Sequence, residues 1–273
     1  RDVNQIDPFH LEAYNEKTVN YNRDIEAFPL LRRIIQRITG EDSFYASPTD
    51  MGVNRAGFGI VDDEVVREAG LQEIVRRYFR YACEHAMGLV EREALERIEL
   101  LMEEHGIGPG SRRVVGAAQA AARKAEEEGK GNDGIYCGAA VELPSGVIIT
   151  GSNSPQLHAA SSLILKAAKY MAETPDAVDL LPPGVIGSIS HLKKEVLDRK
   201  RVSLDAEETL IALGISAAGN GEAKAALSQL RNFRGCEVHM THMPSPGDEA
   251  GLRKLGVNLT TAPRWASKRL FSS

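Results

Sequence analysis

The sequence has few cysteines, few aromatic residues and no long apolar run. Its three cysteines, Cys83, Cys137 and Cys236, are scattered and odd in number, so they provide neither a disulfide framework nor a CxxC metal pair. This usage is typical of a reducing compartment, and we expect a cytoplasmic protein. No segment reaches the roughly 20 consecutive apolar residues that cross a bilayer, and no charged and apolar leader is seen. We therefore expect no membrane partner.

An excess of positive charge is also lacking. The chain has 33 Lys and Arg against 38 Asp and Glu, which gives a formal net charge of -5 at pH 7. This balance argues against a chain that coats nucleic acid, so no nucleic-acid partner is expected, although a small anionic ligand could bind locally. With 273 residues and 42% hydrophobic content, the chain can bury one or two cores, and its length favours two domains.

The first predicted domain, residues 1–130, is mainly helical and begins with polar loops. The chain starts at Arg1 within a polar segment, from which we expect a fragment or a processed product. From Asp63 onward, apolar residues recur at three- and four-residue steps, which predicts a long helix or a helical pair. A further helix at 111–128 has Arg112 and Arg113 near its start and Glu126 to Glu128 at its end. Both sets of charges oppose the helix dipole, so we expect ion pairs with neighbours or a frayed end before the linker at 129–132.

The second predicted domain, residues 131–273, alternates strands with helices. This order indicates an α/β (α+β) fold with a three-layer domain around a mixed sheet. Asp205 and Glu208 have capping-box spacing at the start of one helix. The predicted elements are a hairpin at 139–150, helices at about 156–173, 184–198, 205–217, 221–233 and 247–255, and strands near 236–242 and 257–260.

Residues 138–158 predict a tight hairpin that brings His158 to the start of an Ala-rich helix. Nucleoside deaminases of the zinc type enter their active sites in this way, but they then carry His-Ala-Glu or Cys-Ala-Glu. Here the motif is His158-Ala159-Ala160, so the catalytic carboxylate is missing. A helix N-terminus disfavours the imidazolium, so we expect a neutral ring that acts as general acid or base or contacts a ligand. The alternative is a capping or packed histidine.

The second half of a zinc deaminase site is a strand followed by Pro-Cys-x-x-Cys at the next helix start. In this chain Ser245 and Asp248 stand where the two thiolates would be. One imidazole with one carboxylate falls short of the three protein ligands of catalytic zinc. We therefore expect a cytidine-deaminase-like arrangement without zinc. His158, Ser245 and Asp248 should converge, because hairpin–helix and strand–helix units of one sheet place both helix starts on the same edge.

Two histidines lie in the strand predicted near 236–242. Alternation places His239 and His242 on opposite faces, so they cannot jointly bind one ion. We favour His242 as a catalytic candidate, because it lies at the C-terminal end of the strand, where α/β sheets gather ligands. Asp248 is equally well explained as a helix cap. Three basic clusters are expected to form solvated faces: Arg76–Arg77, Lys193–Lys194 and Arg199–Arg201.

Two polar loops, at 20–24 and 47–54, are candidate anion sites and are expected to lie close together. Arginine offers a bidentate fork, and a loop rich in Ser, Thr and Gly can aim backbone N–H groups at an anion. Ordinary turn and cap chemistry explains the same residues. The ligand-binding candidates are Asn20, Asn22, Arg23, Thr49, Asn54 and Arg55, with Asn153, Ser154, Ser245 and Asp248 in the second domain. The catalytic candidates are His158, Asp50 and His242.

Three long segments carry a family resemblance. They are Ile6–Tyr14 with Val19–Asp24, Ser47–Asn54 and Arg234–Asn258. Together they resemble the bacterial family known as domain of unknown function 1846, or uncharacterised protein family 0371. Family members are about twice this length, and their first half carries a Gly-rich, Lys-containing stretch like a phosphate loop. The resemblance implies that this chain is the C-terminal half, preceded by a phosphate-binding domain.

The resemblance implies an architecture but no reaction, because the function of the family is unknown. Our first hypothesis is an enzyme half that acts on a small anionic or nucleotide-like ligand together with the upstream domain, which would bind a nucleotide if one is required. The alternative is a non-catalytic ligand-binding module, or an assembly module that forms a homo-oligomer, with a degenerate deaminase-like site.

Overall fold

The computed structural model of the chain describes Arg37, Ile38, Gly40 and residues 63–266. These residues belong to two compact units, one containing residues up to 77 and 92–107, the other containing 78–91 and those from 108 onward. Helix α1 (Asp63–Ala86) contributes to both units. None of the helices in this described part of the chain is long and apolar enough to span a membrane.

The first unit contains helix α2 (Arg92–Glu104), separated from α1 by a turn. Gly88 adopts a φ of +72° in that turn, a conformation that glycine reaches without steric cost and that commonly ends helices. The predicted periodic stretch is therefore a helical pair. In α2 the apolar residues three or four positions apart form one buried face, consisting of Leu95, Ile98, Leu101 and Met102.

The second unit is built on a mixed sheet of four strands. The strands are β1 (Gly138–Glu142), β2 (Ile148–Ser152), β3 (Glu237–Met240) and β4 (Asn258–Thr261). Their order across the sheet is β2-β1-β3-β4, with β1 antiparallel to both of its neighbours and β3 parallel to β4. The prediction of an α/β fold with a mixed sheet is confirmed.

Helices pack on both faces of this sheet, because alternate residues of β1 point to opposite sides. Val141 belongs to a core with Leu163 and Leu252, whereas its neighbour Ala140 packs with Val114 on the other face. The helices of this unit are α3 (Arg113–Glu127), α4 (Ala159–Met171), α5 (Pro183–His191), α6 (Ala206–Ser216), α7 (Gly221–Gln229) and α8 (Pro246–Lys254).

Several element ends differ from the prediction. The strand predicted to reach His242 stops at Met240, after which the Thr241 hydroxyl accepts a hydrogen bond from the Gly138 N–H. The helix predicted at 184–198 is α5 followed by a π-helical turn, Leu192–Val196. Wider π turns form from the same residue types as α-helix, so composition alone does not reveal them.

The expected ion pair at the start of α3 is present and buried. The Arg112 guanidinium is 1% exposed and pairs with Glu237. Its Nη2 also donates to the carbonyls of Val238 at 3.0 Å and Asn258 at 2.6 Å. One arginine therefore ties the start of α3 to β3 and β4, and these charge-assisted bonds offset the desolvation of its charge.

Two glycines let helices approach the sheet closely. A Cβ on Gly138 would fall on the carbonyl oxygen of Ala118 and lie 2.7 Å from the Ala122 nitrogen. A Cβ on Gly151 would lie 2.7 Å from the carbonyl oxygen of Ala159. All of these neighbours are helix backbone, which cannot give way as a side chain can.

We predict that Gly138→Ala and Gly151→Ala each destabilise the second unit by about 3 kcal/mol, since overpacking against backbone forces the helices away from the sheet. Urea unfolding followed by circular dichroism measures this change. Gly214→Ala in α6 is the matched control, because a Cβ there meets nothing within 4 Å and should add about 0.5 kcal/mol of stability. Equal unfolding midpoints for Gly138→Ala and the wild type would contradict the close-approach interpretation.

Candidate functional site

The start of β1 and the ends of the other three strands lie at one edge of the sheet. In the register Gly138 is opposite Ser152, Ala139 is opposite Met240, and Met240 is opposite Thr261. The chain segments that leave β2 and β3 at this edge lead to α4 and α8. Open α/β sheets gather ligands at the ends of their strands, so this edge is the natural place to look for a site.

The segment after β2 is shaped by its own polar residues. The Asn153 side chain accepts from the Cys137 N–H at 2.7 Å and donates to the Ile135 carbonyl at 2.9 Å. The Ser154 hydroxyl accepts from the Leu157 N–H at 3.1 Å. Both residues therefore form the loop that precedes α4, and their predicted contact with a ligand stays a prediction.

His158 stands immediately before α4 with an extended backbone, at φ -69° and ψ 162°. Its side chain makes no hydrogen bond to that helix. Instead its Nδ1 lies 2.7 Å from Oδ2 of Asp248. Ser245, the residue before α8, donates its hydroxyl to the same Oδ2 at 2.8 Å. The predicted convergence of His158, Ser245 and Asp248 is confirmed.

Asp248 is the centre of this cluster. The residue is 3% exposed, and its Oδ1 accepts the N–H of Ala206, the first residue of α6, at 3.0 Å. Both carboxylate oxygens thus accept hydrogen bonds, two of them from side chains and one from backbone. The N-cap of α8 is Ser245, which accepts the Asp248 N–H, so the helix-cap interpretation of Asp248 is wrong. Its carboxylate instead links the starts of α4, α6 and α8.

The contact with Asp248 reverses the expected preference of His158 for the neutral ring. Burial of the imidazole favours its neutral form, but the hydrogen bond and charge of Asp248, with the charge of Asp205, outweigh burial and raise the pKa of His158. The helix-start effect predicted a neutral ring, and it is weaker than a carboxylate in direct contact. A carboxylate that accepts from Nδ1–H assigns the neutral tautomer, so Nε2 carries the lone pair.

The second ring nitrogen of His158, Nε2, lies on a partly exposed side chain. The side chain is 26% exposed, and none of the described residues forms a hydrogen bond with this nitrogen. One ring nitrogen is therefore held by a buried carboxylate, while the other has no hydrogen-bond partner among the described residues. General acid–base histidines need this arrangement, since the held nitrogen fixes the ring and the open one exchanges the proton.

Two residues near His158 were not singled out by sequence reasoning for this site. Asp205, the N-cap of α6, has its pKa raised by burial and by the charges of Glu208 and Asp248. Burial and the charge of Asp248 raise the pKa of Cys137 to about 12, so its thiol is not a nucleophile near neutral pH. Asp205 was predicted only as a capping residue, and its nearness to His158 depends on long-range packing.

The other two histidines of this region differ from His158. His239 is fully buried; its Nδ1 lies 2.9 Å from the Thr260 hydroxyl and its ring centroid 4.6 Å from that of Phe79. Burial and the Arg112 charge lower its pKa to about 3, as expected of a packed residue. His242 contacts the Thr241 hydroxyl at 2.9 Å, and burial with the Arg264 charge lowers its pKa. Its catalytic role stays a prediction.

The basic clusters divide between surface and interior. Arg199–Arg201 is exposed as expected. The prediction is wrong for Arg77, which is 2% exposed and bonds Glu73 at 3.3 Å, and for Lys193, which is 6% exposed. A helix buries basic side chains when acceptors lie within reach, and sequence spacing does not show those acceptors.

The residues at this edge do not fit the zinc of nucleoside deaminases. Nδ1 of His158 is engaged with Asp248, and the Ser245 hydroxyl donates to the same carboxylate. The part of the chain that the structure describes contains no group of three or more His, Cys, Asp or Glu arranged to hold a metal ion. Catalytic zinc ordinarily takes three protein ligands, so no step through a metal follows from these side chains.

The polar N-terminal loops lie outside the described residues. This applies to the closeness predicted for the loops at 20–24 and 47–54. It also applies to the candidates Asn20, Asn22, Arg23, Thr49, Asp50, Asn54 and Arg55.

Known proteins match both parts of the chain. Residues 1–106 match "Domain of unknown function DUF1846, N-terminal" and residues 110–271 match "Domain of unknown function DUF1846, C-terminal". The prediction that the chain corresponds only to the C-terminal half of the family is therefore wrong, since residues similar to both domains are present.

Similar proteins come from clostridia. A "UPF0371 protein" of Clostridium botulinum (strain Langeland / NCTC 10281 / Type F) is 47% identical over 272 residues, covering 99% of this chain and 54% of the relative. Another, from Clostridium tetani (strain Massachusetts / E88), is 45% identical over 271 residues with the same coverage. The chain thus spans about half the length of these curated relatives. From the two domain matches and this level of identity, the chain belongs to the uncharacterised DUF1846 (UPF0371) family.

Proposed function

We propose that this chain carries the acid–base site of an enzyme that acts on a small anionic or nucleotide-like molecule. The observation that carries the proposal is the pairing of His158 with buried Asp248, while Nε2 lies on a partly exposed side chain. In the proposed reaction Nε2 takes a proton from the substrate, and Asp248 stabilises the imidazolium that forms. A positioned acid–base group of this kind contributes about 10²–10⁴-fold in rate.

A comparison within the chain supports a functional role over simple packing. His239 shows what a structural histidine looks like here, with a ring that is fully buried and packed at a tilt against Phe79. Its low pKa keeps it neutral. His158 has the opposite environment, since Asp248 and Asp205 favour its protonated form and part of its ring is exposed. Groups with perturbed pKa values of this kind are typical of functional sites.

Two exposed guanidiniums support an anionic ligand. The charge of Arg201 acts on Cys137, as does that of Asp248, and the charge of Arg264 acts on His242. Both arginines are exposed, and neither is paired with a carboxylate among the described residues. An arginine without a protein partner offers its planar fork to a phosphate or a carboxylate.

The deaminase-like arrangement belongs to the same proposal. It is supported by the strand order β2-β1-β3-β4 with an antiparallel β1 and by the helix starts that meet at His158 and Asp248. Four further predictions are parts of this proposal. They are a domain boundary between residues 130 and 131, a cytoplasmic location, a phosphate-binding domain upstream of this chain, and assembly into a homo-oligomer. The activity of the whole protein is likewise proposed, because the relatives extend well beyond the matched region.

One observation favours the second candidate, a non-catalytic assembly module. Ile211 and Ile215, four residues apart on α6, are 63% and 59% exposed. Residues at this spacing share a helix face, and exposed apolar faces often pair with another surface. Sedimentation of the wild type and of Ile211→Glu tests this candidate, since the substitution should dissociate an oligomer built on that face.

The first candidate can be tested by measuring the thermal unfolding midpoint of the complete natural protein with nucleoside phosphates, sugar phosphates and simple carboxylates. A ligand of the folded state raises the midpoint according to its concentration and affinity. His158→Gln should keep most of the shift and lose turnover of that ligand, whereas Arg201→Ala should lose the shift. If no anionic probe raises the midpoint, or if His158→Gln turns over the ligand at the wild-type rate, the proposal is wrong.

We further predict that Asp248→Asn lowers the pKa of His158. The carboxylate raises this pKa in the wild type, so removing its charge leaves burial as the dominant effect, which favours the neutral ring. In the wild type the imidazolium therefore persists above the ordinary value of about 6.5, and in the variant it is lost at lower pH. NMR titration of the His158 ring protons measures both midpoints.

Glu249→Gln is the matched control for this titration. Glu249 is adjacent to Asp248 in sequence but exposed, and it pairs with Arg253 on the same helix. Its substitution should leave the His158 midpoint unchanged. An unchanged midpoint in Asp248→Asn would show that the 2.7 Å contact does not control the imidazole.

A further inference from the structure

A buried ammonium group lies beside the candidate site. Lys193 is 6% exposed, and its Nζ donates to the Ser203 carbonyl at 2.6 Å and to Oε2 of Glu208 at 2.7 Å. Lysine is almost never this buried without partners, because desolvating its charge is costly. Because Lys193 is buried and bonded to two acceptors, its ammonium group holds in place the residues that carry those acceptors.

Lys193 lies in the π-helical turn that follows α5 and is the buried residue of that turn. The turn widens the helix after α5, and the Leu197 N–H donates to the carbonyl of Leu192, five residues earlier, at 3.0 Å. Lys194, the next residue, is exposed, and its one ion pair among the described residues is with its neighbour Glu195 at 3.3 Å. Single π turns inside helices are frequent at functional sites. Here the turn separates two adjacent lysines into one buried and one exposed residue.

Lys193 holds the chain segment 203–206, which contacts both members of the histidine–carboxylate pair. The Leu204 carbonyl accepts the backbone N–H of His158 at 2.9 Å. The Ala206 N–H donates to Oδ1 of Asp248 at 3.0 Å. Between these two contacts, Glu208 closes the capping box by accepting from the Asp205 N–H at 3.0 Å. Nζ of Lys193 bonds the Ser203 carbonyl at the start of this segment, and it also bonds the carboxylate of Glu208, two residues after the end of the segment.

We propose that Lys193 is a positioning residue of the candidate site: through Ser203 and Glu208 its ammonium group fixes the segment 203–206, which in turn fixes His158 and Asp248. Direct contact of Lys193 with a ligand is not part of this role, since its Nζ is already bonded to two acceptors and its side chain is 8% exposed. The charge of Lys193 also opposes protonation of His158, so it acts on that ring through space as well as through the segment.

The inference rests on the site of the proposed function, but its test does not use the reaction. Failure of the test would leave the acid–base proposal standing, and absence of turnover would leave the positioning role standing. The experiment compares Lys193→Met, which keeps the length and removes the charge, with Lys194→Met as the matched control on the same turn.

Two measurements follow each variant. In amide hydrogen exchange, the N–H groups of His158 and Ala206 report the two attachments of the segment, and the N–H of Leu163 within α4 reports global opening. We expect Lys193→Met to speed exchange at His158 and Ala206 about tenfold relative to Leu163, which corresponds to a loss of about 1.4 kcal/mol of local stability. In NMR titration, the His158 midpoint should rise, because an opposing positive charge is gone.

Lys194→Met should change neither measurement. If Lys193→Met fails to fold because Glu208 is left without its partner, the double variant Lys193→Met/Glu208→Gln removes both charges and restores a foldable neutral pair. In the double variant the two reporter amides should still exchange faster, since the bond to Ser203 is lost. Uniform acceleration of all three amides, or unchanged exchange at His158 and Ala206 in folded Lys193→Met, would overturn the positioning role.

Discussion

The arrangement at the sheet edge depends on one carboxylate, that of Asp248. Three helices begin around it, and each start presents backbone N–H groups and a partial positive charge. The Asp248 oxygens accept from the Ala206 N–H, the Ser245 hydroxyl and the His158 ring. A neutral side chain of the same size could not balance three helix starts and an imidazole together. The carboxylate therefore determines both the packing of the helices and the proton affinity of the histidine.

Burial and neighbouring charges shift the pKa values of two histidines of this chain in opposite directions. His239 and His158 both lose solvent, which alone favours the neutral ring. At His239 the acting charge is the guanidinium of Arg112, so burial and charge lower the pKa together. Beside His158 the nearest charges are carboxylates, and they reverse the effect of burial. The sign of the neighbouring charge thus distinguishes a packed histidine from a candidate acid–base group more clearly than burial does.

Local signals predicted the elements that form this edge. The capping box of Asp205 and Glu208 is present with both hydrogen bonds at 3.0 Å, and the meeting of His158 with Asp248 followed from counting strand–helix units. The charge preference of His158 and the burial of Lys193 could not be predicted from spacing. His158 depends on Asp248, 90 residues away, and Lys193 depends on Glu208, 15 residues away. Only the packed fold brings these partners together. Patterns within a helix or strand are visible in sequence, whereas electrostatic partners across elements are not.

In the proposed deaminase-like arrangement, the Asp248 carboxylate takes the place of the zinc-binding thiolates. Helix starts favour anions, and in zinc deaminases the anions they hold are thiolates that bind a cation. Here the anion is the Asp248 carboxylate, and the cationic partner it favours is a proton on His158, whose pKa it raises. A proton, unlike a resident metal ion, can pass between a bound molecule and Nε2, as in the proposed reaction. The residues His158, Ser245 and Asp248 are therefore suited to the proposed acid–base chemistry without a metal at this edge of the sheet.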